Sequence, residues 1–413
     1  MNKFYSGVPL ALFVASSVCL AGPVSLVTNG NNDGPGSLRA ALASNASHII
    51  IDASVDTISI SDTLVYSGTA ALKLSGSDQI IDASSLHSDI LQIVNGTDLN
   101  ISNLTFTGPG GYNFDNQGGG KGIFVDVPVS KTGTINLMLT NVSVTGTGNH
   151  GIHVSDCTLA DDCGGGGGGA GDGSVASINV QFTNVTVDGA GFGKADADGV
   201  RIDERNEGDI TFSATNSTFI NVGADGVELD EGNNGNVFLN VRNSTFNDNG
   251  AYCLGNIDLK EGDPCYDDGD PDVDDGFDID EAGPGSIKGK IENLTVVNNL
   301  DEGLDFDEED AGGFDLDLVA IYAIGNEDEG IKISEENDGS SIVSMRAIDL
   351  QNNNGSKEDI EIEEADSGDV AVKVNGSFVD EIKVEEDGSG KGTIKVRGST
   401  ILEPLDLDNV ENI

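Results

Sequence analysis

One octapeptide pattern recurs through the middle of the chain, and every copy is rich in acids. It reads A-D-G-V-R-I-D-E from Ala197 to Glu204, A-D-G-V-E-L-D-E from Ala224 to Glu231 and D-D-G-F-D-I-D-E from Asp274 to Glu281. D-E-G-L-D-F-D-E (Asp301 to Glu308) and D-E-G-I-K-I-S-E (Asp328 to Glu335) follow. Stacked in register, the copies place carboxylates in three neighbouring rows along one edge. Asp198, Asp225, Asp275, Glu302 and Glu329 form the first row. Asp203, Asp230, Asp280 and Asp307 form the second, and Glu204, Glu231, Glu281 and Glu308 the third. Carboxylates ~4.8 Å apart repel by about 0.9 kcal/mol in water and roughly 3.5 kcal/mol at an effective dielectric of about 20. Bound cations, raised pKa values or strong solvation must relieve that cost. Calcium suits the rows best, because it accepts about six to eight hard oxygen ligands in a flexible shell. All of these acids except Glu302 and Glu329 are therefore expected calcium ligands. The competing reading is a solvated acidic face. The row Arg201, Glu228, Asp278, Asp305 and Lys332 carries cations at both ends and would partly neutralise itself. No EF-hand loop or Gly-rich nonapeptide run is present, so the expectation rests on stacking alone.

The elements that must hold these rows follow from the spacing. Gly199, Gly226, Gly276, Gly303 and Gly330 fall at steps of 27, 50, 27 and 27 residues, the long step being one unit plus a 23-residue insertion. A fixed period of this size marks a solenoid. Asn149 to Asp156 is an earlier, weaker copy and Lys357 to Glu364 a later one. Within the unit that starts at Gly199, Val200–Ile202, Ile210–Phe212 and Ser217–Phe219 alternate apolar and polar residues at period two, the half-buried strand signal. Three short strands per coil of about 27 residues describe an all-β, single-stranded parallel β-helix. Val200, Val227, Phe277, Leu304 and Ile331 would share one interior row, and Ile202, Leu229, Ile279, Phe306 and Ile333 the next. Ser37 to Leu42 alone shows a convincing helical period.

D-G-P-G-S-L-R-A-A-L (Asp33 to Leu42), then I-I-I-D-A (Ile49 to Ala53), then coils with Asn-x-Ser/Thr turns at Asn103, Asn141, Asn184, Asn216, Asn243 and Asn293 complete a pattern. It resembles the pectate-lyase-like right-handed parallel β-helix proteins secreted by bacteria. The resemblance implies right-handed coiling and a short N-terminal capping helix. It also implies a possible polyuronate lyase site, in which Arg201, beside Asp203, Asp225 and Asp230, would be the base. No complete lyase, polygalacturonase or epimerase motif is present. The Asn turns match glycosylation sequons, but a hydrogen-bonded Asn ladder accounts for them better.

Residues 1–21 read as a cleaved export signal, with Lys3 before an apolar run from Val8 to Leu20. The expected organisation continues with a cap over 22–48, the β-helix over 49–364 and C-terminal coils and cap over 365–413. Loop insertions are expected at 107–121, 157–173 and 247–273. Cys157 with Cys163 and Cys253 with Cys265 favour two local disulfides in an exported chain, ahead of a cysteine metal site. The insertions carry Tyr112, Phe114, Phe192, Tyr252 and Tyr266 and would wall a groove over the acidic face, with Tyr112, Phe192, Tyr252 and Tyr266 the expected ligand contacts. His150 and His153 are expected to be ordinary surface side chains. With 71 Asp plus Glu against 20 Lys plus Arg and a net charge of −51, nucleic acid is excluded as a partner. Membrane insertion after signal cleavage is not expected. The expected function is a secreted or cell-surface, calcium-binding adhesion or matrix protein for an extracellular polysaccharide or cell-surface component. The alternative is a calcium-dependent polysaccharide lyase.

Overall fold

A computed structural model describes residues 23–159, 163, 171–256, 259–267, 270–353 and 358–413 of the 413-residue chain. The expected export signal lies outside these residues. So does Lys357, the first residue of the late copy.

Coil-to-coil hydrogen bonding builds the molecule. Twelve parallel strands, from Leu64–Tyr66 to Asp406–Asp408, stack into one sheet that contains every octapeptide copy. The remaining two strands of each coil form a second, 19-stranded parallel array that bends around the Asn turns. The chain is thus a parallel β-helix with three strands per coil. The register follows the sequence repeat: Val200 faces Val227, Val227 faces Phe277 and Phe277 faces Leu304. Ile333 faces Ile362 and Ile362 faces Val384, so the stack continues two coils beyond the late copy, at a shorter step.

Alternation at period two decides which side chains enter the rod. Val200, Ile202, Val227, Leu229, Phe277 and Ile279 are fully buried. Phenylalanines fill the wider coils, and the ring centroids of Phe246 and Phe277 lie 5.2 Å apart with planes only 3° from parallel. Burial of each such side chain contributes about 1.5–3 kcal/mol. At the N-terminal end, Leu38–Ala43 forms the capping helix; the Ser37 hydroxyl accepts a hydrogen bond from the Ala40 N–H at 3.2 Å. Arg39 ties that helix to the first coil by donating to the carbonyls of Thr63 and Asp62, both at 2.7 Å.

The Asn turns are ladders. Asn103, Asn141, Asn184, Asn216, Asn243 and Asn293 all hold positive φ, between 52° and 57°. Asn tolerates this left-handed backbone better than most residues. Asn141 Nδ2 donates to Asn103 Oδ1 at 2.8 Å, and Asn184 Nδ2 to Asn141 Oδ1 at 2.9 Å. A second, buried ladder runs through Asn249, Asn299, Asn326 and Asn353 and ends on Asp359. It was not anticipated, although these asparagines also recur at steps of 50, 27 and 27 residues.

Candidate cation-binding face and loop pocket

The acidic sheet separates the three carboxylate rows. Asp203, Asp230, Asp280 and Asp307 point outward, in register from coil to coil. The row Arg201, Glu228, Asp278, Asp305 and Lys332 lies beside them on the same face. The acids before each repeat glycine sit at the corner where the chain enters the sheet. There they serve the backbone as well: Asp198 Oδ1 accepts from the Asp225 N–H, and Asp225 Oδ1 from the Asp275 N–H at 2.6 Å.

The third row turns inward, which corrects its expected place on the outer edge. Glu204, Glu231, Glu281, Glu308 and Glu335 occupy the fifth strand position, which has the parity of the buried first and third, and none is more than 1 % exposed. Glu364 and Glu386 continue the column. Each has a glycine four residues on, from Gly208 after Glu204 to Gly390 after Glu386. A Cβ on Gly235, Gly285, Gly312 or Gly339 would strike the glutamate oxygen within 2.2 Å, so these sites exclude any side chain. Both carboxyl oxygens of Glu231, Glu281, Glu308, Glu335 and Glu364 lack a hydrogen-bond donor. Burial, then the neighbouring carboxylate Glu231, pushes Glu281 up to about 12; burial and Glu308 push Glu335 to about 9. The column therefore holds shared protons between stacked carboxyls at neutral pH, and it is not an open calcium face.

On the outer face one residue organises the early coils. Arg201 Nε donates to Asp203 Oδ1 at 2.8 Å, Nη2 to Asp230 Oδ2 at 2.8 Å and Nη1 to Glu228. Its Nη1 also lies 3.5 Å from both Asp196 and Asp198. Arg205 binds Asp230 as well. Burial works against the Arg201 charge, but Glu228, Asp203, Asp196 and Asp230 outweigh it and raise the pKa well above the ordinary value. Burial likewise opposes ionisation of Asp203, yet Arg201 and His153 hold that carboxyl far below its usual range.

His150 and His153 are buried beside this cluster, contrary to the surface position expected for them. His153 sits in register with Phe124 and Arg201 on the outer face, stacked on Phe124 at 5.2 Å and tilted against His150 at 4.6 Å. His153 Nε2–H donates to Asp203 Oδ2 at 2.6 Å, and burial lowers its pKa to about 3. His150 Nδ1 accepts from the Asp198 N–H at 3.0 Å. Both are neutral spacers in the network.

The middle coils have no such cation until Lys332, whose Nζ lies 2.8 Å from Asp305 and 3.1 Å from Glu302. Between these two ends Glu228, Asp278 and Asp280 each bring an oxygen within 4.8 Å of the others. Burial, then Asp280, raises Asp278 well above the usual carboxyl range, and burial raises Asp307 to about 7. Three hard oxygen donors in a sheltered, strongly negative position fit calcium.

A cavity of about 620 Å³ opens beside the Arg201 end. Phe114 and Gln117, Cys163, Lys194 to Asp196, and Tyr252 with Asp263 to Cys265 line it, so four separate loops build one pocket. Both expected disulfides are present and brace two of these loops. The Cys163 carbonyl accepts from Arg201 Nη2 at 3.0 Å, tying that cysteine to the cluster. Of the four expected ligand residues Tyr252 lines the pocket, tilted against Phe114 at 5.7 Å. Tyr112 is buried elsewhere, with its hydroxyl 2.8 Å from His87 Nδ1. Phe192 and Tyr266 are half-buried and outside the lining. Phe114 takes the place expected for them; as an insertion aromatic it carried the same signal.

No protein-family model matches the chain, and no curated protein matches it. Solved structures do match. One is the enzymatically active domain of tailspike protein 2 from bacteriophage CBA120, at 14% identity and a TM-score of 0.45, covering 82% of this chain and 44% of that one. Another is ORF18 of Geobacillus virus E2, at 9% identity and a TM-score of 0.44, covering 84% of this chain and 61% of that one. The chain thus spans less than two thirds of either. No helix among the described residues is long and apolar enough to cross a membrane.

Proposed function

We propose that this chain is an extracellular binding protein that holds calcium on its acidic sheet and receives a polysaccharide segment in the adjoining loop pocket. The carrying observation is the meeting of four loops over that sheet, with aromatic faces from Phe114 and Tyr252 and polar groups from Gln117, Asp196 and Asp263. Sugars need both: apolar ring faces stack on aromatics, and hydroxyls require placed hydrogen-bond partners. Calcium at Glu228, Asp278 and Asp280 would stiffen the floor beside the pocket and offset part of its negative charge. Export is part of the same reading, because two disulfides suit an oxidising compartment. Adhesion or a matrix role follows from binding without turnover.

The lyase alternative needs Arg201 to accept a proton. Its engagement with Asp203, Glu228 and Asp230 favours a counter-ion role instead, since a paired, buried guanidinium holds its proton tightly. The test is titration of neutral and acidic oligosaccharides against the full chain, with calcium and with EDTA, followed by assay for unsaturated products. Saturable binding that weakens in Phe114→Ala supports the pocket. No binding to any glycan at millimolar concentration would sink it, and turnover abolished by Arg201→Lys would restore the lyase.

A further inference from the structure

The corner before the sheet repeats a second acid pattern, distinct from the strand face. Asp274-Asp275-Gly276, Asp301-Glu302-Gly303 and Asp328-Glu329-Gly330 each place two acids ahead of the repeat glycine. Stacking interlocks them. Asp275, Asp301 and Glu302 bring one oxygen each within 4.8 Å of the others, and Glu302, Asp328 and Glu329 do the same one coil on. Glu302 belongs to both sets. Asp275 is 8 % exposed and Glu329 1 %, yet Asp275 Oδ1 and Glu329 Oε1 are buried without a hydrogen-bond partner. A buried carboxylate oxygen left so is costly unless something positive reaches it.

We propose that this corner binds two calcium ions in file, one in each three-carboxylate set, bridged by Glu302. Ligand chemistry favours calcium over magnesium. Calcium accepts carboxylate oxygens in a flexible shell, whereas magnesium demands a near-ideal octahedron and gives up its waters reluctantly. Charge agrees. The five carboxylates are balanced by two divalent ions and the Lys332 ammonium, which already lies 3.1 Å from Glu302.

This inference shares its ion with the strand-face reading, and a count separates the two. Equilibrium dialysis of the full chain against calcium, with folding checked by circular dichroism, should show Glu302→Gln binding two ions fewer than the parent. Asp328→Asn should bind one fewer. Asp278→Asn with Asp280→Asn should lose only the strand-face ion. If both corner variants bind as many ions as the parent, the corner proposal is overturned, whatever the strand-face variant does. A loss of a single ion in Glu302→Gln would overturn the bridged pair. Should Glu302→Gln fail to fold, Asp328→Asn decides: one ion fewer supports the proposal, and an unchanged count overturns it.

Discussion

The coils at Val200–Gly232 and those at Phe277–Asp310 share one register and one octapeptide, yet they neutralise their acids differently. The earlier coils have a built-in cation. Arg201 spreads its planar fork over Asp203, Glu228 and Asp230 and donates to the Cys163 carbonyl as well. In the later coils Asp278 and Asp280 face the same way with no guanidinium bonded to them; burial pushes their carboxyls up, as it does those of Glu228 and Asp230, but no directly bonded cation offsets it. One repeat therefore serves two electrostatic regimes. A single arginine at the second strand position gives its coil a built-in counter-charge that the later coils lack until Lys332.

The strongest way to break that contrast is Arg201→Ala. It strands several buried carboxylates and should cost about 3–5 kcal/mol in chemical unfolding. If Arg201 stands in for calcium, the variant should also regain stability in calcium more than the parent does; an unchanged midpoint would refute the contrast. Next in size is ion removal. Calcium at about a hundred times its Kd should add about 2.7 kcal/mol for each bound ion relative to EDTA. Asp278→Asn with Asp280→Asn should shrink that difference while Asp203→Asn leaves it in place, as matched thermal melts will show.

A pH series separates the inward glutamate column from Asp203 by sign. Glu281 and Glu335 are raised to about 12 and about 9, so their contribution is complete below the ordinary carboxyl range and is lost as pH rises through those values. Asp203 is depressed, so its contribution is present above its ordinary value and lost as pH falls. Stability should fall toward alkali by up to about 1.4 kcal/mol per pH unit for each extra proton held. Urea midpoints in Glu281→Gln should show a shallower alkaline limb, and equal limbs would contradict the shared-proton column. The smallest effect belongs to Phe114→Ala: about tenfold weaker oligosaccharide binding, corresponding to the upper end of aromatic contact energies. Its melting temperature should barely move, because Phe114 is only half-buried.

The coil, its register and its interior rows were legible because a 27-residue step and period-two alternation are both written in residue type. The inward turn of the glutamates was legible too, in principle: Glu204 has the parity of Val200 and Ile202, and Gly208 marks the room its carboxyl needs. Charge misdirects there, since a glutamate is ordinarily placed outside. His150 and His153 were misplaced for a different reason. Their partners, Phe124, Asp198 and Asp203, come from neighbouring coils, and no local pattern encodes that. The pocket was legible only as a cluster of aromatic insertions, because which of them line it depends on how four loops fold together.

The buried asparagine ladder carries a direction. Each amide, from Asn249 through Asn353, donates toward the following coil, and the last meets Asp359. A carboxylate accepts without donating onward, so the amide ladder ends at Asp359, yet its other oxygen accepts the Asp380 N–H at 2.7 Å from the next coil. The corner thus changes its bonding there, from side-chain amides to a carboxylate that holds the backbone of the coil beyond. Extra coils carrying an asparagine at this position would lengthen the ladder ahead of Asn353 without leaving a loose end, whereas coils added beyond Asp359 must be held by backbone donors.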